Sequence, residues 1–423
     1  MRRLVARTAF ASLLVACSGR GNGASTSVTR DSMGITIVEN PAPVYPEGED
    51  AVALGEPVVS LDDSIATGGQ PYIGDAMRLA NGDFLVAAGS EARWFDPKGM
   101  LLRTIGGSGE GPGEFRGIQK ILLRGDTVIL SGYSNTSKLA FFGPNGSHIR
   151  DELLDRDRFQ ALGRWAECQQ LVLPDGSRLA CMVDSTIPLS ATNRASTIDD
   201  RGWSSPGPGL LRQMHRLHLV TAALDTTYPL GIDIGLEQFG VDNGGGDVSF
   251  MMHPMYARTL VAFGGTPLRV AIATNPEWEV QLWTPQGHLE RIVRLTNGRR
   301  VPTAEEIGTA SRLLREGELS RSRDTAATLK AVAAVPTPDS LPGILALAMS
   351  RTGELAATRG GVWAEEFPTI IDFFGADGRW TGMRVMPARW RLLDFGPDYL
   401  LGVRYDGDDL PHVEMYKLDT AAP

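Results

Sequence analysis

From Met77 onward, short apolar runs alternate with polar breaks marked by glycine or proline, and the order of runs repeats. Residues 77–81 lead to a turn at Gly82, 84–88 form a strand, Trp94-Phe95-Asp96-Pro97-Lys98-Gly99 ends a third strand in a turn, and 100–105 form a fourth. The same order returns as 118–123, the Gly125 turn, 128–131, Phe141-Phe142-Gly143-Pro144-Asn145-Gly146 and 148–154. Gly82 and Gly125 stand 43 residues apart. Four strands in a unit of about that length is the period of a propeller blade.

A third unit has two competing turns, one at 167–169 and one at Pro174-Asp175-Gly176, and ends late with 219–225 and 228–234. The residues about 184–211, rich in serine, proline and glycine, read as a long inserted loop. A fourth unit runs from Tyr256 to Leu295. Between Pro302 and Pro336 the pattern changes period: Ile307, Leu313 and Leu314, then Leu329, Val332 and Val335, predict two amphipathic helices inserted at about 303–335. A fifth unit covers 344–385. A sixth covers 392–418 and stops one strand short. Two spare strands, 35–39 and 53–60, precede the first unit, and the second of them is expected to complete the sixth. The fold predicted is all-β: a six-bladed β-propeller of four-stranded antiparallel blades, closed by an N-terminal strand and occupying 33–423.

The units are joined most conspicuously by Ile105-Gly106-Gly107-Ser108-Gly109-Glu110-Gly111-Pro112-Gly113-Glu114-Phe115. Five glycines in so short a stretch, and a sixth at Gly117, exclude a strand or helix interior. A phosphate-cradling loop is excluded too, because no Lys-Ser/Thr pair follows and a strand comes next. The stretch resembles the glycine-rich linker of NHL-type repeats, and the strand-turn rhythm as a whole is similar to NHL-like and TolB-like six-bladed propeller lipoproteins of bacteria. That resemblance implies a propeller and leaves function open, since such folds serve as enzymes, ligand binders and protein docks.

Composition sets the address. Arg2, Arg3 and Arg7, an apolar run over 8–16 and Leu14-Val15-Ala16-Cys17 resemble a bacterial lipoprotein signal peptide (1–16) whose Cys17 becomes the lipidated first residue. The run is too short to span a bilayer. Ser18 after the cysteine implies, by analogy, the outer membrane, with the protein facing the periplasm or the cell surface. Residues 17–32 read as a flexible tether. The formal charge is −9, and losing the arginine-bearing leader makes the body more acidic still. No basic stripe offers a nucleic-acid surface, and the only membrane contact expected is the lipid anchor. Cys168 and Cys181 are left as a pair in an oxidising compartment: a disulfide is one reading, two buried thiols the other.

Candidate chemistry is sparse. Arg116, Arg164, Arg258 and Arg389 precede or begin the inner strands of four blades, and would form an anion-attracting rim at the channel mouth unless each pairs with a carboxylate at a blade seam. Of six histidines only His253 lies before an inner strand, which makes it a weak metal candidate; His215 and His218 are expected to face opposite ways on one strand. Asp242-Asn243-Gly244-Gly245-Gly246-Asp247 has oxygen ligands but lacks EF-hand spacing and reads as a surface turn. Glu365 and Glu366, if in a strand, face apart and do not form a carboxylate pair. No GxSxG, P-loop or Cys/His nucleophile arrangement is present. No cofactor is expected, although a channel metal stays open. These features favour a binding module for a small molecule or protein, with a metal-dependent hydrolase or lyase as the alternative.

Overall fold

A computed structural model of the protein describes residues 27–41, 55–70, 72–132, 138–163, 165–182, 197–198, 204–205, 209–211, 215–233, 238–244, 247–275, 277–296, 298, 300–322 and 324–418. Six four-stranded antiparallel blades follow one another in a ring. In order from the axis outward, the first is Ile73–Arg78, Phe84–Ala88, Glu91–Phe95 and Leu101–Gly106. The second is Ile118–Arg124, Thr127–Gly132, Lys138–Phe142 and His148–Leu153, and the third is Trp165–Val172, Arg178–Met182, His215–Val220 and Thr227–Asp233. The fourth is Leu260–Gly264, Arg269–Ala273, Glu279–Trp283 and Leu289–Leu295, and the fifth is Ile344–Met349, Leu355–Arg359, Pro368–Phe374 and Trp380–Ala388. The sixth takes Trp390–Gly396, Tyr399–Tyr405 and Pro411–Lys417 from the C-terminal end and Val59–Leu61 from the N-terminal end.

The burial pattern explains why these runs became these strands. Phe84–Ala88 and Lys138–Phe142 are buried at every position, as expected of central strands covered on both faces. The outer strands Leu101–Gly106 and His148–Leu153 are mostly exposed and carry charge. The apolar core is therefore distributed over the seams between blades. Each of the six seams holds its own cluster, such as Leu85, Trp94 and Ile105 against Phe115, Ile121 and Phe142 between the first two blades. The sixth-to-first seam, with Phe84 and Phe95 against Leu401, Val413 and Met415, includes Val59 and Leu61 from the closing strand.

The glycine-rich linker is a folded loop. Gly106 adopts φ +88, and a Cβ there would meet the Ser90 carbonyl at 2.8 Å, so only glycine fits. Phe115 donates its N–H to Gly107 and buries its ring in the seam. The buried Lys138 ammonium donates to the carbonyls of Gly111 (2.6 Å) and Glu114 (3.0 Å) and pairs with Asp151 at 2.8 Å. The loop thus turns carbonyls toward a cation, the reverse of a phosphate loop, which turns amides toward an anion.

Three expectations need correction. The tether does not extend to residue 32: Val28–Ser32 is a strand, paired with Ile35–Asn40 through a turn in which Met33 (φ 56) and Gly34 (φ 84) both take positive φ, as a two-residue type I′ hairpin requires. The strand at 35–40 runs parallel to Leu289–Leu295 and extends the fourth blade to six strands. The segment at 184–211 is not only loop, since Thr197–Ile198 pairs with Ser204–Ser205, and Gly209–Leu211 joins an added sheet with the hairpin Gln238–Gly244 and Asp247–Met251. The first-to-second turn of the third blade is the one at Asp175-Gly176, and Trp165–Val172 carries a register shift between Ala166 and Leu171.

Asn40 fixes the added hairpin to the ring. It is fully buried, donates to the carbonyls of Arg294 (3.2 Å) and Gly378 (3.0 Å), and accepts from the Trp380 amide (2.8 Å) and the Ser27 hydroxyl (2.7 Å). Its side chain therefore joins the fourth blade to the outer turn of the fifth. Asn40→Ala leaves these groups buried and unpartnered and is expected to cost about 2–4 kcal/mol in urea unfolding, with the far-ultraviolet spectrum unchanged. An unaltered midpoint would show that the staple contributes nothing.

Candidate functional site

The two faces of the ring are unlike. In an antiparallel blade, first-to-second and third-to-fourth turns emerge on one face, while second-to-third loops and blade-to-blade linkers emerge on the other, where the inner strands begin. On the first face every connection is short; the longest spans 221–226. The long connections, between Met182 and His215, Asp233 and Leu260, Leu295 and Ile344, and Arg359 and Pro368, are all of the entry-face kind.

The described parts of 234–259, 296–343 and 360–367 pack into a cap over the fourth and fifth blades, and Gly209–Leu211 adds a strand to its hairpin. The helix Ala304–Arg321 starts with a capping box, in which Thr303 and Glu306 satisfy each other's backbone amides. Its Ala310 packs with Met255, Leu341, Val362 and Ala364, while its Leu314 packs with Met251 of the hairpin and Ala331 of the second helix, Thr325–Ala334. The two predicted helices are therefore present, and they cover the entry face.

Two pockets lie beneath this cap and share Leu345 and Trp363, which is 38% exposed. In the first, of about 190 Å³, every charge is answered. Arg300 pairs with Glu306 at 2.8 Å, and Arg359 meets Asp372 through two bonds of 2.6 and 2.8 Å. Arg389 bonds Glu365 at 3.0 Å, the Asp406 carbonyl at 2.8 Å and the Asp409 carboxylate. Burial raises the Glu306 pKa, but Arg300 and Thr303 outweigh it and hold the carboxyl below its ordinary value. Burial likewise works against the charge of Arg389, while Asp409 and Glu365 hold its pKa above the usual arginine value.

The second pocket, of about 330 Å³, is mostly apolar: Met252, Pro254, Tyr256, Pro342, Ile344 and Leu345 contribute its walls, with His253 and Arg258 as polar groups. Its size and lining are those of a small-molecule site. His253 is 4% exposed, and its Nδ1 accepts the Met255 amide at 3.2 Å. Burial pushes its pKa down to about 4, so the imidazole is neutral at physiological pH. Its Nε2 then carries the ring proton and is left to address the pocket as a donor. Among the described residues no group of three or more His, Cys, Asp or Glu could hold a metal ion. Arg258 is open to solvent on one side and donates to the Leu345 carbonyl at 3.3 Å.

The four arginines expected around the rim thus separate. Arg116 pairs with Glu110 inside its own exposed loop, Arg389 pairs with Glu365 and Asp409, and Arg164 lies outside the described residues, as does Cys17. Only Arg258 reaches the larger pocket. Glu365 and Glu366 lie in a loop and diverge, the second pairing with Arg312 of the cap helix. Asp242–Gly244 and Asp247 belong to the paired strands of the added hairpin, and the two glycines between them, expected as part of a surface turn, lie outside the described residues. His215 and His218 are both buried in one strand, with a register shift between Arg216 and His218. Cys181 is fully buried at the third-to-fourth seam and disulfide-bonded.

Sequence reasoning missed Trp363, Arg391 and the added hairpin. The hairpin carried a signal, since Phe239 and Val241 alternate before the glycine turn and Val248 and Phe250 after it. Arg391 was hidden because the uninterrupted apolar run of the sixth blade opens at Leu392, whereas the strand begins at Trp390.

No protein-family model and no curated protein matches the chain. It is similar to a presumed exported protein of Bacteroides fragilis (10% identity, 90% of this chain and 100% of that one, TM-score 0.43). It is similar to a member of the DUF4221 family from Bacteroides vulgatus (8%, 87% and 98%, TM-score 0.44). A gluconolactonase of Xanthomonas campestris is also similar (11%, 93% and 99%, TM-score 0.37). The propeller assignment rests on this chain's own sheets and their order.

The depressed pKa of His253 gives a stability signature. The unfolded chain binds a proton near pH 6.5 and the folded chain only near 4, so this contribution is complete above pH 6.5 and is lost as pH falls toward 4. At about 1.4 kcal/mol per unit the total is on the order of 3 kcal/mol. In His253→Asn the carboxamide oxygen still accepts the Met255 amide, and the difference between urea midpoints at pH 7.5 and pH 5 is expected to shrink accordingly. An unchanged difference would place the titration elsewhere.

Proposed function

We propose that the protein is a lipid-anchored module of the cell envelope that binds a ligand in the entry-face pocket under the cap. The observation that carries this reading is the asymmetry of the ring: tight turns on one face, and on the other the insertions, packed together above an apolar pocket. Fixed walls with few polar groups suit recognition more than reaction. The anchor is argued from the leader and Cys17, the outer membrane from Ser18, and the NHL-like or TolB-like kinship from the glycine-rich linker. The disulfide of Cys181 is assigned to Cys168, which belongs to the neighbouring strand of the same blade.

Ligand binding is tested by thermal shift. Small-molecule extract of the native envelope is expected to raise the melting temperature of the wild type by about 2–5 °C and to leave Trp363→Ala, folded by circular dichroism, unmoved. Equal shifts for both proteins would remove the pocket from the account. A stoichiometric, chelator-sensitive metal with hydrolytic activity would replace this reading with the channel enzyme.

Intact mass before and after reduction tests the covalent assignments. Acyl chains on Cys17 and two thiols that appear only on reduction are expected, with Cys17→Ala released from membranes and Cys168→Ala leaving one free thiol. A Cys17→Ala variant still lodged in the membrane would contradict the anchor.

A further inference from the structure

Three arginines in the first pocket each meet a carboxylate, as expected in a chain with 50 acidic and 41 basic residues. Two arginines at the channel mouth do not. Arg258, just before the inner strand of the fourth blade, donates Nη2 to the Leu345 carbonyl at 3.3 Å. Arg391, the second residue of the sixth blade's inner strand, donates Nη2 to the Ile73 carbonyl at 2.7 Å, and its Nε is buried without a hydrogen-bond partner. Each therefore reaches forward to the start of the next blade's inner strand. Among the described residues neither guanidinium is paired with a carboxylate. The charge that Arg258 feels is that of Arg391: burial first, and then this second cation, lower its pKa.

A guanidinium set against an apolar wall, with no carboxylate partner among the described residues and a second cation acting on it, carries a cost that an anion would relieve. An arginine needed only to tie two blades together gains nothing from a cationic neighbour. Beside Arg258 the pocket offers Met252, Tyr256 and Trp363, an apolar wall of the kind that takes a hydrocarbon or aromatic body.

We propose that Arg258 forms the anion-recognising end of the entry-face pocket, with Arg391 of the sixth blade adding positive potential, and that the pocket takes an amphipathic carboxylate with its charged group at the Arg258 guanidinium and its apolar body against Trp363. This rests on the reading of that pocket as a ligand site. A carboxylate suits the arrangement because guanidinium groups meet it through directed, charge-assisted bonds.

The test titrates the full-length protein, in detergent, with octanoate and with its neutral isostere octanamide, following tryptophan fluorescence. Octanoate is expected to bind at least tenfold more tightly than octanamide. Arg258→Gln should lower octanoate affinity about tenfold and Arg391→Gln only about two- to threefold, both leaving octanamide unchanged, while Arg258→Lys, which keeps the charge, should fall between Arg258→Gln and the wild type. Melting curves identify any variant that fails to fold, and the Lys variant then carries the comparison. Equal affinities for the two probes, abolished together by Trp363→Ala, would overturn the anion inference and leave the pocket standing. Binding of neither probe, or of both with Trp363→Ala indistinguishable from the wild type, would overturn both.

Discussion

The ring depends on three residue pairs: Val59 with Met415, Ser60 with Glu414 and Leu61 with Val413. A further hydrogen bond, from the Val58 amide to the Met415 carbonyl at 2.8 Å, extends them. Without this strand the sixth blade presents an open edge, and Val59 and Leu61 vanish from the seam it shares with the first. Because the core is divided among six seams, no blade has a core of its own. Opening one junction exposes apolar surface on both neighbours and removes the constraint that holds the other five in register. The same closure sets the spacing of the inner strands, and so fixes the mouth at which Arg258 and Arg391 stand.

The unequal faces follow from that constraint. Third-to-fourth turns pack onto the outer strand of the preceding blade: a Cβ on Gly99 would meet Val59 and Leu61 at 3.0 Å, and one on Gly378 would meet Val293 at 2.8 Å. Both glycines take positive φ. A longer turn at these points would wedge apart a seam, so the face stays tight. Entry-face linkers have no such neighbour above them, and length added there is tolerated. Insertions collect on one face because the other is occupied by the packing of the ring itself.

Legibility in the sequence follows the same division. The blade rhythm was readable because each unit repeats a local rule: an apolar central strand, a glycine turn at fixed distance, a charged outer strand. The closing strand was readable as the missing member of the last unit. The helices announced themselves by a change of period between Pro302 and Pro336. What the helices and hairpin do together was not readable, since Leu314 meets Met251 and Ala331 through contacts no local pattern encodes. The rim arginines show the limit most clearly. Arg116 has its acid six residues away in the same loop, whereas Arg389 finds Glu365 and Asp409 at separations of 24 and 20 residues, in two different loops. Position at an inner-strand start was correct for each, but whether the charge is free depends on what the loops above bring to it.

That dependence bears on how the pocket gets its chemistry. The scaffold supplies an arginine near an inner-strand start in several blades, and the loops then decide which of them are neutralised. In the fifth and sixth blades the 360–367 and 406–410 loops deliver Glu365 and Asp409, and Arg389 becomes a strut holding those loops to the ring. Over the fourth blade the cap delivers Met252, Tyr256 and Trp363 to the pocket beside Arg258, and no acid among the described residues that line it. An apolar wall cannot neutralise a guanidinium; it only raises the cost of leaving that charge without a partner. The cap thus sharpens the preference of this mouth for an anion while it supplies the surface on which the remainder of the ligand rests.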